Sequence, residues 1–268
     1  MAKPLRIALL IGGTLSLVFA VGLFLEASWA TAIWPVPSSR LSNIFVSSIL
    51  ASIGAPIIWI ALADEPRAMA GGAIDLVLSN TSIAAAAVIF YRNGGPPALL
   101  PFAAFAAVLM VLNIGLYIYS RRLPFRDTRP TPALVRYSFA GFTLALLLAG
   151  AALILMRPNV FPWPLSPENS ALYGCIFLGA MCYFLYGVVY PVGGNAKGQL
   201  LGFLAYDLVL IGPFVQHFSA VRPEMQVSLI LYTTVICYSG LLAVYFLFLY
   251  PPTRLRITAA RNDGKSAH

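Results

Sequence analysis

Charged side chains are scarce in this chain. They make up 10% of its 268 residues, while 60% are apolar. Soluble domains carry roughly 25% charged residues. A water-soluble fold of this length could not hide so much apolar surface, because more than half of any folded surface stays exposed. Lipid can face that surface without penalty. The composition therefore excludes an ordinary soluble domain and predicts an all-α integral membrane protein.

Histidine is nearly missing: His217 and His268 are the two in the chain. Axial haem ligation and metal sites both ask for clustered ligands at one depth, so no redox cofactor and no metal are expected. Cysteine is equally sparse. Cys175, Cys182 and Cys237 all lie in apolar runs without a CxxC pair, and they read as small packing residues rather than a disulfide or zinc framework. The chain also lacks HExxH, GxSxG and GxxxxGK[ST], and it offers no Ser/His pair placed for nucleophilic attack. No enzyme activity is predicted. The net charge of +8 does not indicate nucleic acid, since the cations sit singly between apolar runs, as flanking topology signals do.

Those runs are the dominant feature. Crossing about 30 Å of hydrocarbon takes about 20 mostly apolar residues, and eight such segments can be marked, near 5–25, 42–63, 69–90, 98–119, 134–156, 170–191, 198–219 and 226–250. Helix-stopping clusters separate them. These include Trp34-Pro35-Val36-Pro37, Asp64-Glu65-Pro66-Arg67, Asn93-Gly94-Gly95-Pro96-Pro97, Arg157 to Pro167, Gly193-Gly194-Asn195 and Arg222-Pro223-Glu224. The apolar stretch from Ile7 to Leu25 follows Lys3 and Arg6 as a signal-peptide core would. At 19 residues it exceeds the ~7–15 of a signal core, so a retained first helix is expected.

Placing the N-terminus inside puts Lys3, Arg6, Arg67, Arg121, Arg122, Arg126, Arg129, Arg136, Lys197, Arg254, Arg256, Arg261 and Lys265 on the inner side. Arg40, Arg92, Arg157 and Arg222 fall outside. The positive-inside rule then predicts cytoplasmic N- and C-termini in a bacterial-type inner (plasma) membrane. Trp29, Trp34 and Trp163 fall in outer loops and read as headgroup-level anchors.

Two echoes suggest duplication. Trp34-Pro35 recurs as Trp163-Pro164, and Asp75-Leu76-Val77-Leu78 recurs as Asp207-Leu208-Val209-Leu210. The expected organisation is a four-helix half over 1–120, a basic cytoplasmic linker over 121–133, a second half over 134–250 and a basic tail over 251–268. An even number of spans per half makes the repeats parallel.

Carboxylates inside hydrocarbon are costly and are functional candidates by default. Asp75 and Asp207 are the two acids well inside predicted spans, about six residues into the third and about ten into the seventh. Asn80, Asn113, Gln199 or a tyrosine hydroxyl are their expected partners. The candidate polar site is thus Asp75, Asp207, Asn80 and Asn113, with packing hydrogen bonds as the bland alternative. Small-residue stretches at Gly71-Gly72-Ala73, Ala84 to Ala87, and Gly174 with Gly179 and Ala180 favour close helix approach. Besides lipid, the expected partners are other membrane subunits or a second copy of the chain. Two functions fit. One is an accessory or scaffolding subunit of a membrane complex, which the many absences favour. The other is a small-solute or proton-coupled transporter using Asp75 and Asp207.

Overall fold

The computed structural model describes residues 1–255, so Arg256, Arg261, Lys265, His268 and most of the basic tail lie outside the described residues. Among the described residues eight helices are long and apolar enough to cross a membrane: α1 (Lys3–Phe24), α2 (Arg40–Ala63), α3 (Met69–Arg92), α4 (Leu99–Ser120), α5 (Ala133–Ile154), α6 (Pro167–Val189), α7 (Gly193–His217) and α8 (Gln226–Val244). Single 3-10 turns at Pro66–Ala68 and Pro223–Met225 lead into α3 and α8, and a π turn at Tyr245–Leu249 extends α8. Large apolar side chains such as Leu208, Val227, Leu241 and Leu148 point outward and are exposed. No soluble surface tolerates apolar exposure on that scale, and the chain is an all-α multi-pass membrane protein.

Local chemistry sets the helix ends. Ser39 and Ser166 are N-caps, their hydroxyls accepting from the backbone N–H of Ser42 and Asn169. Asp64 closes α2 in the left-handed conformation, and Glu26 and Met156 do so just beyond α1 and α5. One expected boundary is corrected. Gly193-Gly194-Asn195 is the first turn of α7 rather than a break. Its free N–H groups find acceptors outside the helix, Gly193 donating to the Arg129 carbonyl at 2.7 Å and Gly194 to that of Asp127 at 2.8 Å.

The helices stand in two rows. One row runs α1–α2–α7–α8 and the other α4–α3–α6–α5, each helix packed closely on the next. Each row therefore joins one hairpin from residues 1–120 to one from residues 133–249. Within a row, small residues set the spacing. Gly13 meets Gly54, Gly150 meets Gly174, Gly202 meets the Ser52 carbonyl, and Gly179 lies against Asp75 and Ser79.

Between the rows, aromatic rings act as spacers. Phe45 of α2 packs on Tyr173 of α6 at 4.7 Å between centroids, and Phe203 of α7 stacks on Phe184 of α6 at 4.5 Å. Phe142 of α5 also packs on Phe203 at 4.5 Å, and the Ser138 and Tyr238 hydroxyls join α5 to α8 at 2.6 Å. Close contact along rows and bulky contact across them leave space in the middle.

Two tryptophans depart from the expected interfacial belt. Trp163 is buried, 4% exposed, and its indole N–H donates to Ser42 Oγ at 3.0 Å. Trp34 is half-buried and donates to Asn169 Oδ1 at 2.8 Å. Both are pins between distant parts of the chain, because a buried indole N–H must find an acceptor. Trp29, by contrast, is exposed.

Candidate functional site

The space between the rows is a cavity of about 310 Å³. All eight helices contribute to it, from Leu9 of α1 to Ser239 of α8. Its walls are aliphatic and aromatic, with a few polar groups. Asp75 enters from α3 and Asn113 from α4. The first lies six residues past Met69 and the second seven before Ser120, so both stand roughly 10 Å from the face where α3 begins. Asp75 Oδ1 accepts from Ser79 Oγ at 3.0 Å. Asp75 keeps accessible surface although it lies among helices, because that surface faces the cavity. The Asn113 side-chain nitrogen donates back to the Leu109 carbonyl at 2.8 Å.

A third polar contribution comes from backbone. Pro56 lies inside α2 and has no N–H for the Ser52 carbonyl, one turn earlier. Ser52, Pro56 and Gly202 all line the cavity, and the position of a Gly202 side chain would be 3.2 Å from that carbonyl oxygen. Gly179 holds the other side of the site. A methyl group there would stand 2.5 Å from Asp75 Oδ1 and closer still to Ser79 Oγ. The glycine lets α6 lie directly on the Asp75 turn.

The other two sequence candidates lie elsewhere. Asn80 is buried and donates to the Leu76 carbonyl in its own helix at 2.6 Å, away from the cavity lining. Asp207 is not at the depth of Asp75. It lies fourteen residues past Gly193, about 21 Å along α7, because α7 begins earlier than its glycines suggest. It is 4% exposed, sealed beside Gly240 of α8, and neither carboxylate oxygen has a hydrogen-bond partner among the described residues. Asp75 and Asn113 therefore share a cavity, while Asp207 and Asn80 do not line it.

No protein-family model, curated protein or solved structure matches this chain. Among the described residues no three His, Cys, Asp or Glu side chains cluster as a metal site would require, and the three cysteines are free thiols.

A second polar assembly lies where α3 and α7 begin. The segment from Arg121 to Pro132 folds as a strap across the bundle. Buried Glu65 accepts from the backbone N–H of Arg126 at 2.9 Å and of Asp127 at 3.0 Å. The Asp127 carboxylate receives Arg129 Nε at 2.7 Å and Lys197 Nζ at 2.6 Å. Hydrogen bonds from Arg129, and after them the Lys197 ammonium, hold its carboxyl far below the ordinary aspartate range against the opposing effect of burial. Asp64 pairs with the N-terminal ammonium at 2.7 Å and with Arg126 at 2.5 Å. Burial raises its pKa, but those cations outweigh burial and the net shift is downward. Arg67 is buried against Phe125, Tyr186 and Tyr190, 5.2 to 5.9 Å from their ring centres. By composition alone this segment is a plain basic linker. The available signal was the adjacent acids Asp64 and Glu65 facing the most arginine-rich segment of the chain.

Proposed function

We propose that the protein is a membrane carrier that takes up a small, largely apolar solute in the cavity between its two helix rows. The observation behind this reading is the cavity itself: about 310 Å³, walled by all eight helices, with a carboxylate and an amide at one depth. A bundle serving only as a scaffold gains nothing from such a void, since each unfilled volume forfeits packing contacts. Preformed pockets with few convergent polar groups are the usual form of small-molecule sites.

The two-row arrangement suits alternating exposure. Glycine contacts make each row a stiff unit, and the aromatic contacts between rows are the looser seam along which one row would rock. We also read the chain as a duplicated four-helix unit, since α1–α2 and α5–α6 pack alike and α3–α6 and α2–α7 form matching cross-contacts. The distribution of cations supports an inner-membrane location with both chain ends in the cytoplasm. A reporter fused after Arg122 should lie in the cytoplasm and one after Arg157 outside it, and the reverse result would overturn that orientation.

The test of the carrier reading uses Gly72, which lines the cavity and has open space where a side chain would grow. Gly72→Leu starts from a Cβ that meets nothing and adds bulk to the site. Native purification followed by mass spectrometry of retained small molecules should find a solute with the wild-type protein that Gly72→Leu has lost. Identical small-molecule content in both would sink the reading.

A second reading, as an accessory or scaffolding subunit, draws on a different observation. Gly12, Gly115 and Gly141 on the row-end helices α1, α4 and α5 are exposed, with nothing near the space a side chain would take. Such positions admit another helix at close range. The same purification tests it, because stoichiometric protein partners or a homo-oligomer would travel with the chain.

A further inference from the structure

We infer that the solute is a lipophilic cation, an inference that rests on the carrier reading and sharpens it. The cavity presents acceptors without matching positive charge. Asp75 Oδ1 is engaged by Ser79, and among the described residues no protein donor is hydrogen-bonded to Oδ2. The Ser52 carbonyl has lost its helical N–H to Pro56. Among the described residues no lysine, arginine or histidine lines the cavity.

Three classes of solute can be compared against that lining. An anion would face Asp75 across apolar walls that screen charge poorly, with no basic group to receive it. A neutral apolar molecule would leave the carboxylate with an unmet acceptor after water is displaced. A cation with an apolar body satisfies both parts of the wall. Its charge meets Asp75, and its body meets Tyr183, Phe184, Phe203, Tyr206 and Tyr232, whose ring faces also attract cations. The size agrees: a cavity of about 310 Å³ lies at the lower end of the roughly 300–1,000 Å³ typical of small-molecule pockets.

The experiment compares two ions of the same size and shape and opposite charge, tetraphenylphosphonium and tetraphenylborate. Binding is measured by equilibrium dialysis against the purified full-length protein, with protein-free micelles subtracted. Wild type is expected to bind the phosphonium at least tenfold tighter than the borate. Asp75→Asn should erase that preference while Asp75→Glu retains it, which separates loss of charge from loss of fold. Gly72→Leu should abolish binding of the phosphonium. Equal affinity for both ions in wild type, with both displaced by Gly72→Leu, would overturn the cation inference and leave the cavity reading standing. Binding of neither ion, or binding indifferent to Gly72→Leu, would overturn the inference and count against the cavity reading as well.

Discussion

Ser42 and Asn169 occupy the same place in two helices, each three residues beyond a capping serine, and each accepts the indole proton of a tryptophan from the other part of the chain. The exchange is reciprocal: Trp34 reaches α6 and Trp163 reaches α2. The same displacement of 127 residues separates Ser39 from Ser166 and Ser52 from Gly179. The same displacement leads from Asn80 to Asp207 and from Asp75 to Gly202, so the two Asp-Leu-Val-Leu stretches, 132 residues apart, fall outside it.

The two tryptophan bonds give a direct stability test. Trp163→Phe keeps most of the ring volume and removes the donor to Ser42. Loss of a buried hydrogen bond costs about 1 kcal/mol, so the detergent-solubilised protein should melt a few degrees lower. Trp34→Phe should cost a similar amount, and the double variant should show the two losses added, because the bonds use separate acceptors.

Gly179→Ala should be far more damaging than its size suggests. The added methyl would meet the Asp75 backbone carbonyl at 2.6 Å as well as two side chains, so α3 and α6 must part. Overpacking of this kind costs roughly 1–3 kcal/mol. Gly72→Ala, which meets nothing, serves as the control and should melt as wild type does.

Among the described residues the buried Asp207 carboxyl has no hydrogen-bond partner, and its removal should help the fold. Replacing an unsatisfied polar group by an apolar one of like shape recovers about 1–3 kcal/mol. Asp207→Leu is therefore expected to raise the melting midpoint and to leave phosphonium binding unchanged. A lower midpoint would mean that the carboxyl makes a contact essential to the fold.

The strap should make stability depend on acid. Asp127 has its pKa lowered in the folded protein. Its contribution is then fully present above the unfolded value of about 3.9 and is lost as pH falls from there toward the lowered folded value. Wild type minus Asp127→Asn, compared between pH 7 and pH 3, should show the wild-type advantage shrinking with acidification. A constant difference would remove Asp127 from the pH response.

Glu65 should hold the strap by its backbone. Glu65→Ala leaves the amides of Arg126 and Asp127 without their acceptor, and hydrogen exchange should quicken at those two residues and at Gly193 and Gly194, which donate to the strap, while exchange in α3 and in the rest of α7 stays slow.

Hydrophobic transfer acts on each segment alone, which is why seven of the eight spans are legible in the sequence to within a few residues. The exception was α7, whose glycine turn is helical only because strap carbonyls, distant in sequence, accept its first N–H groups. Asp75 and Asn113 were legible as candidates because a polar group in hydrocarbon is conspicuous wherever it points. Whether four such groups meet is a matter of rotation, depth and neighbours, and no local signal carries that. Sequence likewise places Trp34 and Trp163 in loops between spans, at one end of the bundle, but cannot tell a headgroup anchor from a buried pin. The all-α membrane class and the number and approximate limits of the spans are local properties, because they follow from the apolar run of each helix. The tertiary structure alone decided that hairpins from opposite ends of the chain share a row, that aromatic spacers leave a cavity between rows, and that Asp75 faces it while Asp207 does not, because these depend on which helix faces find each other.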